Sequence, residues 1–144
     1  MSEAPLRTPD PPDSVAAAAQ RWAEVWQRCW ESGDVASIVD LYADAAVFSS
    51  QPFRPQSFGR EGVRDYVSGA FADESDVRAW FGTPIAEGER ATVEWWVALR
   101  EAGEEVTLAG TSVLRFDSGG RVAEQRDTWN MCAGRREPPP GWGR

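Results

Sequence analysis

From residue 15 onward the apolar positions fall at three- and four-residue steps: Val15, Ala18, Ala19, Trp22, Val25, Trp26, Cys29 and Trp30. That spacing predicts an amphipathic helix, with Asp13 or Ser14 as its N-cap and Gly33 as its stop. Asp34 caps a second helix carrying Val35, Ile38, Val39 and Tyr42 on its buried stripe. A short strand, 46–49, and an aperiodic loop, 50–58, follow. Gly59 then opens a third helix with Val63, Tyr66, Val67, Ala70 and Phe71 on one side. From Asp76 the period changes to two. Strands are predicted at 76–87, 90–101, 104–117 and 121–131, separated by Gly88, by Ala102-Gly103 and by Ser118-Gly119-Gly120, each a hairpin signal. Helices followed by a meander of long strands predict an α+β domain with the helices on one face of the sheet. The domain is bounded as 14–133. Residues 1–13 are Pro-rich and expected to be disordered. Residues 134–144 contain Pro138, Pro139 and Pro140 and cannot continue the sheet, but Trp142 suggests that this tail folds back onto the domain.

The composition sharpens this picture in three ways. Eight tryptophans in 144 residues predict a core or pocket rich in aromatic surface, with about half of them simply filling the core. The net charge of −8, from 23 acidic and 15 basic residues, has the wrong sign for nucleic acid or an anionic membrane. The chain has no histidine, which removes Ser-His-Asp and Cys-His sites and nearly every His-bearing metal site. Cys29 and Cys132 stand in no metal-ligand spacing, and no Gly-rich phosphate loop is present. No cofactor and no metal are therefore expected. The cysteines are expected to be reduced thiols in a cytoplasmic protein, because neither a signal-peptide pattern nor a membrane-spanning apolar run is evident. The remaining chemistry rests on carboxylates, tyrosines, amides and hydroxyls, or on shape alone.

The segment Gly33-Asp34-Val35-Ala36-Ser37-Ile38-Val39-Asp40-Leu41-Tyr42-Ala43-Asp44-Ala45-Ala46-Val47-Phe48 resembles a signature of the nuclear-transport-factor-2-like superfamily. That superfamily includes ketosteroid isomerases, SnoaL-type polyketide cyclases, limonene-epoxide hydrolase and scytalone dehydratase. Gly59-Arg60-Glu61 and the final hairpin, Leu114-Arg115-Phe116-Asp117 to Gly120-Arg121-Val122, extend the resemblance over about residues 15–132. It implies a cone-shaped barrel of three N-terminal helices packed on a curved, mainly antiparallel sheet, with a deep pocket between them and commonly a homodimer. Carried over by position, the oxyanion-hole Tyr of ketosteroid isomerases falls at Trp26, their general-base Asp at Ser50 and their protonated Asp at Ser112. An indole N–H still donates, but neither serine replaces a carboxylate base, so that isomerisation is not expected. Tyr42 matches a pocket tyrosine of the family.

Strand alternation that puts Ser112 inside also puts Gly110, Leu114 and Phe116 there. It selects Val93, Trp95, Val97 and Leu99 on the preceding strand and Gln125, Asp127, Trp129 and Met131 on the last. Asp127 is then a carboxylate in an aromatic cavity, where burial raises its pKa and suits it to proton transfer. It looks like the last-strand acid/base of SnoaL-type cyclases. Two alternatives stand beside this: a structural carboxylate paired with an arginine, or a register one residue off that places Arg126 inside. Arg126 beside Asp127 is also similar to the Asp-Arg-Asp site of epoxide hydrolases, but alternation points these neighbours apart. The candidate catalytic residues are Asp127, Tyr42 and Ser112. Trp22, Trp26, Ser50, Tyr66, Val93, Trp95, Val97, Gln125 and Trp129 are candidates for the substrate-binding wall.

Two functions follow. The first is a pocket for a small apolar molecule, polycyclic or aromatic, with cofactor-independent cyclisation, isomerisation, dehydration or hydrolysis. The second is a non-catalytic binding or assembly module, which a cavity plugged by Trp22, Trp26 and Trp129 would favour. Transport binding has no specific residue support. On the opposite sheet face Trp96 stands among Glu94, Thr111, Val113, Arg126 and Thr128, and this face is the expected homodimer interface.

Overall fold

The computed structural model describes residues 14–144, so the Pro-rich segment 1–13 and its expected disorder lie outside the described residues. Helix α1, Val15–Ser32, begins where the Ser14 side chain accepts the Ala17 N–H at 3.0 Å. It ends at Gly33, which adopts the left-handed conformation that glycine tolerates best and returns its N–H to the Cys29 carbonyl. Asp34 caps α2, Val35–Val39, by accepting from both the N–H and the hydroxyl of Ser37, bonds that hold its carboxyl below the usual range.

The predicted second helix stops short of Tyr42, which instead begins strand β1, Tyr42–Ser49. The Leu41 carbonyl accepts the Val122 N–H, so pairing with the last strand takes hold of the chain before a further helical turn forms. The two-residue strand β2, Ser57–Phe58, precedes helix α3, Gly59–Ala72. The strand predicted over 76–87 is two: β3, Glu74–Phe81, and β4, Ile85–Glu87. Between them Gly82, Thr83 and Pro84 face only two residues of the next strand, because Phe81 pairs with Trp95 and Ile85 with Thr92. Pro84 has no N–H to give to a ladder.

Strands β5, Arg90–Glu101, β6, Glu104–Phe116, and β7, Val122–Ala133, form the long meander. The sheet runs β2-β1-β7-β6-β5-β3, with β4 also on β5. Only the β1–β7 pair is parallel among the described strands. This is the expected α+β cone, its core made where α1 and α3 lie on the inner sheet face. Inner residues Val93, Trp95, Val97, Leu99, Leu114 and Phe116 are all buried.

The C-terminal segment crosses one end of the outer face. The Thr107 hydroxyl donates to the Gly134 carbonyl at 2.7 Å and accepts the Arg136 N–H at 2.9 Å. Arg135 reaches the carbonyls of Asp76 and Ala98, and Thr83 donates to the Gly143 carbonyl. This strap explains why Ala98 and Thr107 are buried although they point away from the core. No helix among the described residues is long and apolar enough to cross a membrane.

Candidate active site

Trp22, Trp26 and Trp30 recur every fourth residue, so α1 presents three indoles in a column toward the sheet. Their ring centroids lie 6.0 and 5.5 Å apart along the column, and Trp30 lies 6.1 Å from Phe71 of α3 and 5.6 Å from Trp95 of β5. These rings wall a cavity of about 530 Å³, within the roughly 300–1,000 Å³ range of sites for drug-sized ligands. It is not plugged by its tryptophans.

The floor of the cavity is polar and comes from two strands. Ser112 of β6 sits directly opposite Asp127 of β7, and Gln125 is on the same face two residues earlier. The Ser112 hydroxyl donates to Asp127 Oδ1 at 2.6 Å while accepting the Trp95 indole N–H at 3.0 Å. Gln125 Nε2 donates to Oδ1 at 3.0 Å and approaches Oδ2 at 3.2 Å. Gln125 Oε1 accepts the Tyr42 hydroxyl, which itself accepts the indole N–H groups of Trp26, at 3.1 Å, and Trp22, at 3.4 Å. Two chains of donors thus end on one carboxylate, and every buried side-chain polar atom among the described residues has a partner.

These donors are all neutral. Arg126 points outward and pairs with Glu124, so neither the arginine-paired carboxylate nor the shifted register describes Asp127. Burial therefore pushes the Asp127 carboxyl up to about 7, against the lowering by Ser112 and Gln125. Oδ1 accepts both Ser112 and Gln125, whereas Oδ2 takes only the longer Gln125 contact, so Oδ2 is the oxygen with more room for the proton. A carboxyl near half-protonation at neutral pH serves as either acid or base.

The cavity brings together Trp22, Trp26, Tyr66, Trp95, Ser112, Gln125, Asp127 and Trp129. Tyr42, Ser50, Val93 and Val97 do not line it. Tyr42 lies fully buried behind the indoles, with its hydroxyl committed to three partners, so it holds Gln125 in place from outside the cavity wall. Ser50 acts through its carbonyl, which accepts the Trp129 indole N–H at 2.7 Å. Val93 and Val97 are buried in the core packed against α1, and of this row Trp95 reaches the cavity. Trp30, Phe71, Leu108 and Glu74 line it without having been singled out. Trp30 and Phe71 were legible as the ends of two apolar stripes, and Leu108 continues the Gly110-Ser112 parity.

Glu74 is the second perturbed carboxyl. It accepts the Trp30 indole N–H at 2.7 Å, and burial, with a smaller contribution from the charges of Glu101 and Asp73, raises it to about 7.

Gly110 lets β7 approach the β6 backbone under this wall. A Cβ at Gly110 would lie 2.6 Å from both the Thr128 carbonyl oxygen and Trp129 Cβ. Gly110→Ala is expected to cost about 1–3 kcal/mol in chemical denaturation, as overpacking does, and to shift Trp129 emission. Parental stability in that variant would contradict this packing.

The SnoaL-like domain family matches residues 19–125. No curated protein matches the chain. Among solved structures the chain is similar to SalBIII, an epoxide hydrolase/cyclase-like enzyme in pyran ring formation in the polyether salinomycin. The two are 18% identical, with 81% of this chain and 95% of that chain covered and a TM-score of 0.70. It is also similar to a hypothetical protein with a ketosteroid isomerase-like fold from Catenulispora acidiphila, in complex with trimethylamine. There the identity is 16%, the coverage 74% and 83%, and the TM-score 0.67. RV0760c from Mycobacterium tuberculosis is 16% identical, with 81% and 96% covered and a TM-score of 0.71. At these identities the likeness is one of fold.

Proposed function

This chain belongs to the SnoaL-like domain family, and from that premise we propose that it takes one small apolar molecule into its cavity and catalyses a cofactor-independent proton-transfer reaction with Asp127 as acid/base. The observation that carries this reading is the buried Asp127 carboxyl, without a cationic partner among the described residues, at the floor of an open aromatic cavity with two neutral donor chains ending on it. An assembly module that worked only through its sheet surface would have no need of such a cavity.

Ring closure of a hydroxy-epoxide illustrates the chemistry. The protonated Asp127 donates to the epoxide oxygen as that C–O bond breaks. The substrate hydroxyl forms the new C–O bond, and its proton returns to the carboxylate. The product is an isomer of the substrate, with nothing added or lost. Ser112 and Gln125 hold the carboxyl, and Trp22, Trp26, Trp95 and Trp129 enclose the apolar body. Phe48 and Tyr66, 5.0 Å apart, complete the α3 side.

An aryl hydroxy-epoxide should be closed faster than in buffer by the parent protein. Asp127→Asn should bind it with similar tryptophan quenching and lose the rate. An equal rate in the variant would remove Asp127 from the mechanism, and quenching without turnover by the parent would favour a non-catalytic binding module.

The same proposal places a second copy of the chain on the outer face. The strap covers the Ala98–Thr107 end and leaves Thr92, Trp96, Thr111 and Val113 half-buried beyond it. Non-denaturing mass spectrometry reads the subunit count and any retained ligand together. A monomer would refute the dimer without touching the pocket.

A further inference from the structure

We propose that the ligand of this cavity carries a positive charge, an organic ammonium on an apolar body, received by the aromatic and acidic wall around Trp30, Glu74 and Glu101. This rests on the pocket reading above and adds the charge of the ligand to it. Among the described residues the cavity is lined by five carboxylates, Asp65, Asp73 and Glu101 exposed at its rim and Glu74 and Asp127 further in, against a single guanidinium, Arg54. An anion entering past this rim meets more carboxylates than cations, and a neutral hydrophobe leaves the charges unused. A cation gains from both components of the wall, because the face of an aromatic ring carries negative potential and attracts cations.

The mouth already shows that preference within its own structure. Arg54 lays its guanidinium over the Trp129 ring, 5.2 Å from the centroid. The opposite side has no such occupant among the described residues. There Trp30 is surrounded by Trp26, Phe71 and Trp95 at 5.5–6.1 Å, and its N–H is committed to Glu74. None of the five lining carboxylates forms a salt bridge among the described residues. Burial keeps Glu74 and Asp127 partly protonated near pH 7, so a cation would find these two carboxyls largely ionised at slightly alkaline pH.

The test compares benzyltrimethylammonium with neopentylbenzene, its neutral counterpart of the same shape, by tryptophan quenching of the full chain at pH 8. The cation is expected to bind about tenfold more tightly, the scale of a desolvated cation–π contact reinforced by charge. That ratio should fall severalfold in the double variant Glu74→Gln, Glu101→Gln, whose amides keep the shape and the acceptor for Trp30. Because the ratio is taken within each protein, a general loss of affinity does not mimic the effect. Neopentylbenzene binding as well as or better than the cation would overturn the charge inference and leave the pocket standing. No quenching by either probe would overturn both. A cation preference that persists unchanged in the double variant would place its origin elsewhere and overturn the assignment to this wall.

Discussion

Asp127→Asn is expected to unfold at a higher temperature than the parent protein at pH 8, to match it near pH 4, and to lose about 100- to 10,000-fold in any proton-transfer rate. Moving a carboxyl from its ordinary 3.8 to about 7 costs the folded state roughly 4 kcal/mol once both folded and unfolded forms are ionised. The sign follows from where the proton sits. Below about pH 4 the group is protonated in both states and contributes nothing to the difference. Between about 4 and 7 the unfolded chain has released the proton and the folded protein still binds it, so stability falls as pH rises. Above about 7 the full cost is paid. An asparagine keeps the acceptor for Ser112 and Gln125 and has no charge to bury. A gain of about 2–4 kcal/mol at pH 8 would raise the midpoint by at least about 5 °C in a domain of this size. Glu74 titrates over the same window but is common to both proteins, so it cancels in the comparison. Thermal unfolding at pH 4, 6 and 8 decides it. A difference between variant and parent that does not grow with pH would mean that Asp127 is not a desolvated carboxyl, and the proposed chemistry would lose its basis. Stability gained together with rate lost is the signature of a group kept for function.

Much of this site was legible because alternation is a strict code once register is known. Pairing of Val93 with Ser112 and of Ser112 with Asp127 places all three on the inner face, as parity along β5, β6 and β7 required. What parity does not encode is depth. Val93 and Val97 share a face with Trp95, yet the indole is the one long enough to reach past the helix-packed layer into the cavity. Glu74 escaped for a different reason. Asp76 adopts a positive φ of 51°, and the β3–β5 register shifts between Ser75 and Arg78, which resets the alternation two residues after Glu74. Tyr42 follows Ile38 and Val39 at spacings that fit a helix stripe equally well, and only the distant β7 decides that it is a strand residue. The fold was legible because Gly33, Gly59, Ala102-Gly103 and Gly119-Gly120 punctuate the elements at positions where local chemistry and tertiary pairing agree.

Tyr42→Phe carries the second large expected effect, and it comes from a hydroxyl that lies outside the cavity lining. Removing that oxygen leaves the buried indole N–H groups of Trp22 and Trp26 and the carbonyl of Gln125 without their protein partner. Each buried polar group left unsatisfied costs about 1–3 kcal/mol, so a total of about 3–5 kcal/mol is expected, a large part of a domain's net stability. A second consequence separates this from ordinary damage. With no donor on Oε1, the Gln125 carboxamide is free to turn its oxygen toward Asp127, and one of the two donors that lower that carboxyl is lost. The apparent pKa of Asp127 should then rise further above 7, moving the pH dependence of both stability and rate toward alkaline values. Tyr66→Phe is the control, because it removes a hydroxyl from the wall of the same cavity but outside the donor chains. Chemical denaturation of both variants, followed by a pH series, distinguishes the roles. If Tyr42→Phe proved as mild as Tyr66→Phe and left the pH dependence where it was, the donor chain through Gln125 would not be what holds Asp127 in place.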